Sequence, residues 1–298
     1  LTGSLPQASR LGWAGLHFLK ASRFSSLRER LVSSLGSDRA LLGHPLGIPS
    51  ASAEALAGIW RDCGLEALVL APGLAAGLAG LLRLPFSGGA GDAALLARSE
   101  SGEHLVSLGA SLVPAAASAR PEPEAARKPN RITFIGPMAS GKSSVGRAFA
   151  ALSGLPFFDS DAEVEAEAGA SIPELFAAEG EPGFRARESR ALARLLSGPP
   201  AVVATGGGAV LPPENRRLIA ASGEVVWLHA PAPVLASRAG SGEGRPLLAG
   251  ADPAAALAAI YRERLPLYRS IADWLVPADG PEPRRIAEVI HDEIEFSR

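Results

Sequence analysis

The residues best equipped for chemistry begin at Gly136. The run Gly136-Pro-Met-Ala-Ser-Gly141-Lys142-Ser143 fits the pattern G-x-x-x-x-G-K-[ST] in full. Glycines at these positions let successive backbone N–H groups turn inward around phosphate oxygens, and a helix opening at the same point adds partial positive charge. Lys142 is expected on the β- and γ-phosphates and Ser143 on Mg2+. The nucleotide would be lined by Gly136, Ala139, Ser140, Gly141 and Ser144. The pattern predicts phosphoryl transfer from a nucleotide such as ATP. It leaves the acceptor open, because GTPases, ATPases and small-molecule kinases share it.

Other candidates follow along the chain. Asp159-Ser160-Asp161 offers two carboxylates, one able to hold water on a metal and one able to orient or deprotonate an alcohol. The alternative for this triplet is a helix N-cap at Ser160 or Asp161. Phe184-Arg185 follows a Gly180-Glu181-Pro182-Gly183 turn, and Arg264 lies in a later helical stretch. Each arginine alone reads as a solvated surface group, but a converging pair suits a carboxylate bound by the guanidinium fork. Glu188, near one turn beyond Arg185, is placed to orient it. In Thr205-Gly206-Gly207-Gly208, consecutive glycines allow close backbone approach to a ligand. Arg238 and Arg245 bracket a Gly/Ser-rich stretch with the character of a closing lid. The sequence offers no partner for His229. Tyr261, Tyr268 and Trp274 read as core, and Asp292, Glu293 and Glu295 as a solvated helix face.

These residues need elements to hold them. Strand-like runs occur at Ile132–Ile135, Phe157–Phe158, Ala201–Thr205, Val225–His229 and Trp274–Val276, with helical stretches between them, the first over Ser143–Leu152. Strand alternating with helix predicts an α/β fold, a parallel sheet covered on both faces. Its ligands sit at the carboxyl ends of the strands, where every motif above falls. Pro114–Asn130, rich in Pro, Ala and charge, reads as a linker. The expected organisation is an N-terminal α/β segment over 1–113, the linker, and a phosphate-loop domain over 131–298. In the first segment Ser52 is expected to cap a helix carrying Leu56, Ile59 and Trp60 and ending at Gly64. Leu65–Leu70 is expected as a strand, Leu74–Leu84 as a helix, and Ala94–Arg98 with His104–Leu108 as a hairpin. Phe24–Leu35 has the period of an amphipathic helix, although the first 40 residues also have the Ser/Arg-rich, acid-poor composition of a transit peptide.

Composition narrows the classes. The 298 residues carry 29 Lys and Arg against 31 Asp and Glu, so no basic field recruits nucleic acid and an anionic substrate must be met by local arginines. One cysteine, Cys63, excludes an intramolecular disulfide and fits a reducing cytoplasm. No apolar run reaches the roughly 18 residues of a membrane span.

Taken in order, the phosphate loop, Asp-Ser-Asp, Gly-Glu-x-x-Phe-Arg-x-x-Glu, Thr-Gly-Gly-Gly, Arg-Pro-Leu-Leu and Arg-x-Pro-Leu-Tyr resemble the shikimate kinases across essentially all of residues 131–298. The resemblance implies a P-loop kinase with a five-stranded parallel sheet flanked by helices. The implied reaction moves the γ-phosphate of ATP to the 3-hydroxyl of shikimate with Mg2+ as cofactor, in a monomeric kinase domain. It also implies that Asp159 supports the metal through water and that Asp161 binds the ring hydroxyls, as base or as positioning group. Arg185 and Arg264 would clamp the carboxylate. Gly206, Gly207 and Gly208 would line the ring, with Phe176 and Phe184 beside it. Arg245 would be the lid arginine, and Arg238 and Pro283 would flank the adenine. Departures are few: Pro182-Gly183 stands where helix formers are usual, and Pro281 replaces a residue that is often basic. Two other readings stay open, a non-catalytic sensor of this architecture and a kinase for another small polyol or acid. Retention of Lys142, Ser143, Asp159 and Asp161 weighs against the first. In the N-terminal segment, Leu41–Ser52 weakly resembles a degenerate piece of the substrate domain of shikimate dehydrogenase.

Overall fold

The computed structural model describes residues 11–14, 46–48, 52–63, 67–70, 74–88, 93–99, 102–109, 130–240, 253–280 and 282–297. The expected helix at Phe24–Leu35, the lid stretch with Arg245, and Pro281 lie outside these residues. So do most of the linker and of Leu41–Ser52. The chain divides into two compact units, one of Leu1–Arg127 with Asp292–Arg298 and one of Lys128–His291.

The first unit holds strands β1 (Leu11–Ala14), β2 (Leu46–Ile48), β3 (Ala67–Leu70), β4 (Ala93–Ser99) and β5 (Gly102–Gly109). β1 pairs in parallel with β2 and β3, while β3–β4 and β4–β5 are antiparallel. Helix α1 (Ala53–Asp62) starts as expected, with Ser52 Oγ accepting from Ala55 N, and buries Leu56, Ile59 and Trp60. It is closed by Cys63, one residue before the expected Gly64. The expected hairpin is β4–β5. Helix α2 (Leu74–Leu82) stops two residues early, because Arg83 turns left-handed (φ 56°) and Leu84 N donates back to Ala79 O at 2.9 Å.

The second unit is built on β6 (Ile132–Ile135), β7 (Phe157–Asp159), β8 (Val202–Ala204), β9 (Glu224–His229) and β10 (Trp274–Pro277). All are parallel, in the order β7-β8-β6-β9-β10. This is the expected five-stranded parallel sheet. Its central strands read as near-continuous apolar runs, interrupted in β6 only by Thr133, because both faces are covered: every residue of β6 and β8 is buried. Parallel neighbours require crossovers. These carry α3 (Lys142–Ser153), α4 (Ser160–Ala168), α5 (Ile172–Ser197), α6 (Pro213–Ser222), α7 (Ala232–Ala239) and α8 (Pro253–Ile271), and α9 (Pro283–Ser297) follows β10. After β6 the chain moves to β7 and β8 on one side, then crosses to β9 and β10 on the other. The loops after β6 and β8, which are neighbours, therefore diverge and open a crevice at the switch point.

Two local solutions differ from expectation. The Gly180–Gly183 segment is a single break inside α5 instead of a separate turn. Only Gly180 leaves helical geometry (φ 66°, ψ −179°). The helix restarts at once, so Pro182 sits at a first-turn position where its missing N–H costs nothing. The face expected to be solvated at the C-terminus is exposed at Asp292, but Glu293 is buried.

Arg131 ties the unit together beneath the sheet. Its buried guanidinium donates to Leu196 O (2.8 Å), Ser222 O (3.3 Å), Pro199 O (2.7 Å) and Gly198 O. These carbonyls end α5 and α6, where backbone acceptors lack helical partners and a cation is favoured.

Candidate active site

The phosphate loop leaves β6 and opens α3 as the pattern requires. Gly141 caps α3 in the left-handed region (φ 91°). Ala139 also holds a positive φ of 63°, a strained setting for a residue with a Cβ. Lys142 is buried, and its Nζ donates to Pro137 O at 2.8 Å, within the loop. Burial brings its ammonium down to about 8, against the opposing pull of Asp161 and Asp159. Ser140 is buried, and its Oγ has no partner.

Asp159 ends β7 and does two things at once. Its Oδ1 accepts from Asp161 N (3.1 Å), which makes Asp159 the N-cap of α4, where the alternative reading of the triplet placed Ser160 or Asp161. Its Oδ2 accepts from Ser143 Oγ at 2.5 Å. A hydroxyl and a carboxylate oxygen are thus gathered at the mouth of the phosphate loop. Among the described residues no group of three or more His, Cys, Asp or Glu could hold a metal. Two oxygen donors fit Mg2+, which keeps much of its shell as water and phosphate oxygen.

Ser160 does not cap α4; its Oγ accepts from Gly206 N at 2.9 Å. That bond pins the loop after β8 beside Asp161. The three glycines then touch three different parts of the site. A Cβ on Gly206 would collide with Asp161 Oδ1 and Glu188 Oε1, and one on Gly208 with the Arg185 guanidinium. Gly207 lies against the phosphate loop, its Cβ position 3.1 Å from Met138 N. Close approach, more than flexibility, is what requires glycine here.

Arg185 sits on α5 above Phe184, whose ring lies 5.2 Å from its Cζ. Phe184 packs on Phe176 with centroids 4.8 Å apart, and both join Val164, Leu175 and Ala191 in a small core. As expected, Glu188 orients Arg185: Nη1 donates to Glu188 Oε2 at 2.8 Å. Glu181 takes the other edge, accepting from Nε (3.2 Å) and Nη2 (3.0 Å) through Oε1. Glu188 is fully buried, and burial raises its carboxyl against the pull of Arg185 and Arg264. Burial likewise pushes Asp161 up to about 7, helped by Glu188 and Asp159 and opposed by Lys142 and Arg185. Asp161 Oδ1 and Glu188 Oε1 are both buried without a hydrogen-bond partner. Buried acceptors left open in this way await a donor from a ligand.

Arg264, on α8, interacts with Lys142 and Glu188, so it faces the same site as Arg185. Arg238, at the end of α7, donates to Ala278 O at 2.6 Å and is held at the loop leading to Pro283, the exposed first residue of α9. Arg245 lies outside the described residues. Ser144 is exposed on the first turn of α3.

Two partnerships were not foreseen. His229 has a partner: Nδ1 is hydrogen-bonded to the Tyr261 hydroxyl. Burial takes its imidazole down to about 4, keeping it neutral. Tyr268, expected as plain core, is fully buried, but its hydroxyl donates to Gly207 O at 2.6 Å. The available signal was its position one helical turn after Arg264, on the same face of α8.

The sequence model of the shikimate kinase family matches residues 138–295. A shikimate kinase from Halorhodospira halophila is 48% identical over 164 residues, covering 55% of this chain and 93% of the relative. One from Ruegeria pomeroyi is 51% identical over 149 residues, covering 50% of this chain and 76% of the relative. Among solved structures, a shikimate kinase from Acinetobacter baumannii in complex with shikimate superposes with a TM-score of 0.56 at 38% identity, over 57% of this chain and 95% of that one. More than half of the chain answers to one family, and that half spans nearly the whole of a relative at 48% identity: the chain belongs to the shikimate kinase family.

Proposed function

We propose that the chain transfers the γ-phosphate of ATP to the 3-hydroxyl of shikimate, yielding ADP and shikimate 3-phosphate. The observation that carries this reading is the contact made by three consecutive glycines. Gly206 meets Asp161 and Glu188, Gly207 meets the phosphate loop, and Gly208 meets Arg185. A group that accepts a proton, a loop that holds phosphate and a fork that holds carboxylate therefore border one space. A ring bearing both a hydroxyl and a carboxylate spans it.

In this reading Lys142 leaves Pro137 O for the β- and γ-phosphates, while the backbone from Gly136 to Gly141 cradles them. Ser143 and Asp159, the latter through water, hold Mg2+, which neutralises phosphate charge when bound. Arg185 and Arg264 grip the acceptor carboxylate in a bidentate way. Gly206–Gly208 lie along the ring, with Phe176 and Phe184 supporting Arg185 from below. Asp161 accepts the proton of the 3-hydroxyl as its oxygen meets the γ-phosphorus, and a carboxyl held near 7 is matched to that task at neutral pH. Arg245 closes over the phosphates, and Arg238 with Pro283 flanks the adenine. The kinase unit acts as a monomer in the cytoplasm. The reading is supported on the second point by a single cysteine in 298 residues.

The test is a coupled assay of ADP release from the purified protein with shikimate, quinate, gluconate and nucleoside monophosphates as acceptors. Shikimate-dependent ADP release is expected. Release with another acceptor and none with shikimate would overturn the assignment. Light scattering of the same sample measures the mass in solution.

A further inference from the structure

Tyr268 joins the glycine loop to α8, the helix that carries Arg264. Its hydroxyl donates to Gly207 O at 2.6 Å, and the Arg264 guanidinium, one turn earlier on the same side of α8, acts electrostatically on the same phenol. A phenol has one proton to give and two lone pairs to offer. The proton is used on Gly207, which leaves the lone pairs for Arg264. The ring itself cannot drift. It is fully buried, stacked on Trp227 at 5.9 Å between centroids and flanked by Tyr261 at 6.2 Å. Trp227 belongs to β9, beside the strand that feeds the phosphate loop. Gly207 in turn abuts Met138 N of that loop.

We infer that Tyr268 is a positioning residue: its hydroxyl locks Arg264 to the Gly207 carbonyl, and so sets the carboxylate clamp on α8 in register with the glycine loop and the phosphate loop. The inference rests on the reading of Arg264 as a carboxylate ligand. An arginine on a long helix has many rotamers, and a clamp that must meet one carboxylate with two parallel bonds gains from having them removed before the acceptor arrives. Arg185 is fixed in the same way by Glu188. Tyr268 is the corresponding support for Arg264. It acts without charge, so it adds no carboxylate to compete with an incoming anion.

The experiment compares wild type, Tyr268→Phe, Arg264→Ala and the double variant in the shikimate-dependent ADP assay, with Tyr261→Phe as a control from the same aromatic stack. Tyr268→Phe is expected to raise the KM for shikimate about tenfold, as for loss of one hydrogen bond to a charged group, while kcat and the KM for ATP stay within about threefold. The double variant is expected to be no worse than Arg264→Ala alone, because the two residues act as one. Tyr261→Phe is expected to leave the KM for shikimate unchanged. A further variant separates positioning from support of the fold. 4-Aminophenylalanine at position 268 keeps the ring and a donor for Gly207 O but accepts poorly from Arg264. It should melt like wild type and still show the raised KM, and it decides the matter should the Phe variant be insoluble. An unshifted KM in either variant, additive effects in the double variant, or an equal shift in Tyr261→Phe overturns the inference. Failure of wild type to release ADP with shikimate is a different result, and overturns the assigned reaction instead.

Discussion

Replacing Asp161 by asparagine is expected to abolish turnover and, in the same molecule, to stabilise the ligand-free protein above neutral pH. Asp161 Oδ1 and Glu188 Oε1 are enclosed, unpartnered and close enough to collide with the same Gly206 Cβ position. Two acceptors facing each other repel; an amide in place of one carboxylate supplies a donor to the other. The carboxyl of Asp161 is raised from 3.8 to about 7, by burial first and then by Glu188 and Asp159, more than Lys142 and Arg185 can offset. At about 1.4 kcal/mol per pKa unit this sets a ceiling of roughly 4 kcal/mol. The sign follows from proton binding. Between pH 4 and 7 the folded protein holds a proton that the unfolded chain has released, so wild type loses stability as pH rises through that window. Asparagine has no proton to lose. Its advantage is therefore near zero below about pH 3.5, about 2 kcal/mol at pH 5 and roughly 4 kcal/mol at pH 8.

Urea unfolding of both proteins without nucleotide, at pH 5 and pH 8, measures the difference directly. Equal stability at pH 8, or a gain of the same size at both pH values, would refute the claim that a buried, disfavoured charge sits at this position. Nucleotide affinity, measured by titration with an ATP analogue, should be nearly unchanged. Normal turnover by the variant would remove Asp161 from the chemistry altogether.

Other variants probe the neighbours. Glu181 is 44% exposed and occupies the edge of Arg185 that an incoming carboxylate needs. Glu181→Gln should therefore lower the KM for shikimate about 1.4- to fivefold, the range of an exposed ion pair worth about 0.2–1 kcal/mol. Gly208→Ala drives a methyl group into the Arg185 guanidinium; a forced shift of about 1–3 kcal/mol should raise that KM roughly 5- to 150-fold with the KM for ATP unaltered. Arg131→Met strips the donor from the carbonyls of Leu196, Gly198, Pro199 and Ser222. It should cost about 3 kcal/mol in urea unfolding while the folded enzyme keeps its specific activity, since Arg131 touches nothing in the site.

What could be read from the chain beforehand was whatever is encoded locally. The apolar runs of β6, β8 and β9 announce themselves because strands covered on both faces need no polar alternation. The Ser52 cap and the β4–β5 hairpin depend on residues within a few positions of each other. The Arg185–Glu188 pair is visible as a helical spacing. The residues misjudged are those whose partners lie far along the chain. Ser160 offered nothing beyond a possible cap, yet it bonds Gly206 across 46 positions. Tyr268 looked like core, yet it reaches Gly207 across 61. His229 looked solitary, yet it meets Tyr261 across 32. A hydroxyl on an apolar ring gives no sign in the sequence of which distant carbonyl it will find; only the packing of α8 against the crevice decides that.

The charges of the site also predict how it changes as it fills. Arg185 opposes the rise of Asp161, and Arg185 with Arg264 opposes the rise of Glu188. An acceptor carboxylate that takes up both guanidiniums cancels part of that opposition. Asp161 and Glu188 then lie in a site with less positive charge and no more water, so both hold protons more firmly. Binding of the acid at one end of the ring thus makes Asp161 a stronger base at the other, at the moment the hydroxyl must lose its proton. At saturating MgATP, the acid limb of kcat/KM for shikimate reports Asp161 before the acceptor binds, and the acid limb of kcat reports it afterwards. The limb in kcat should lie at higher pH than that in kcat/KM. An acid limb that moves downward on binding would mean that the clamp does not relay its charge to the base, and that Asp161 draws its basicity from burial alone.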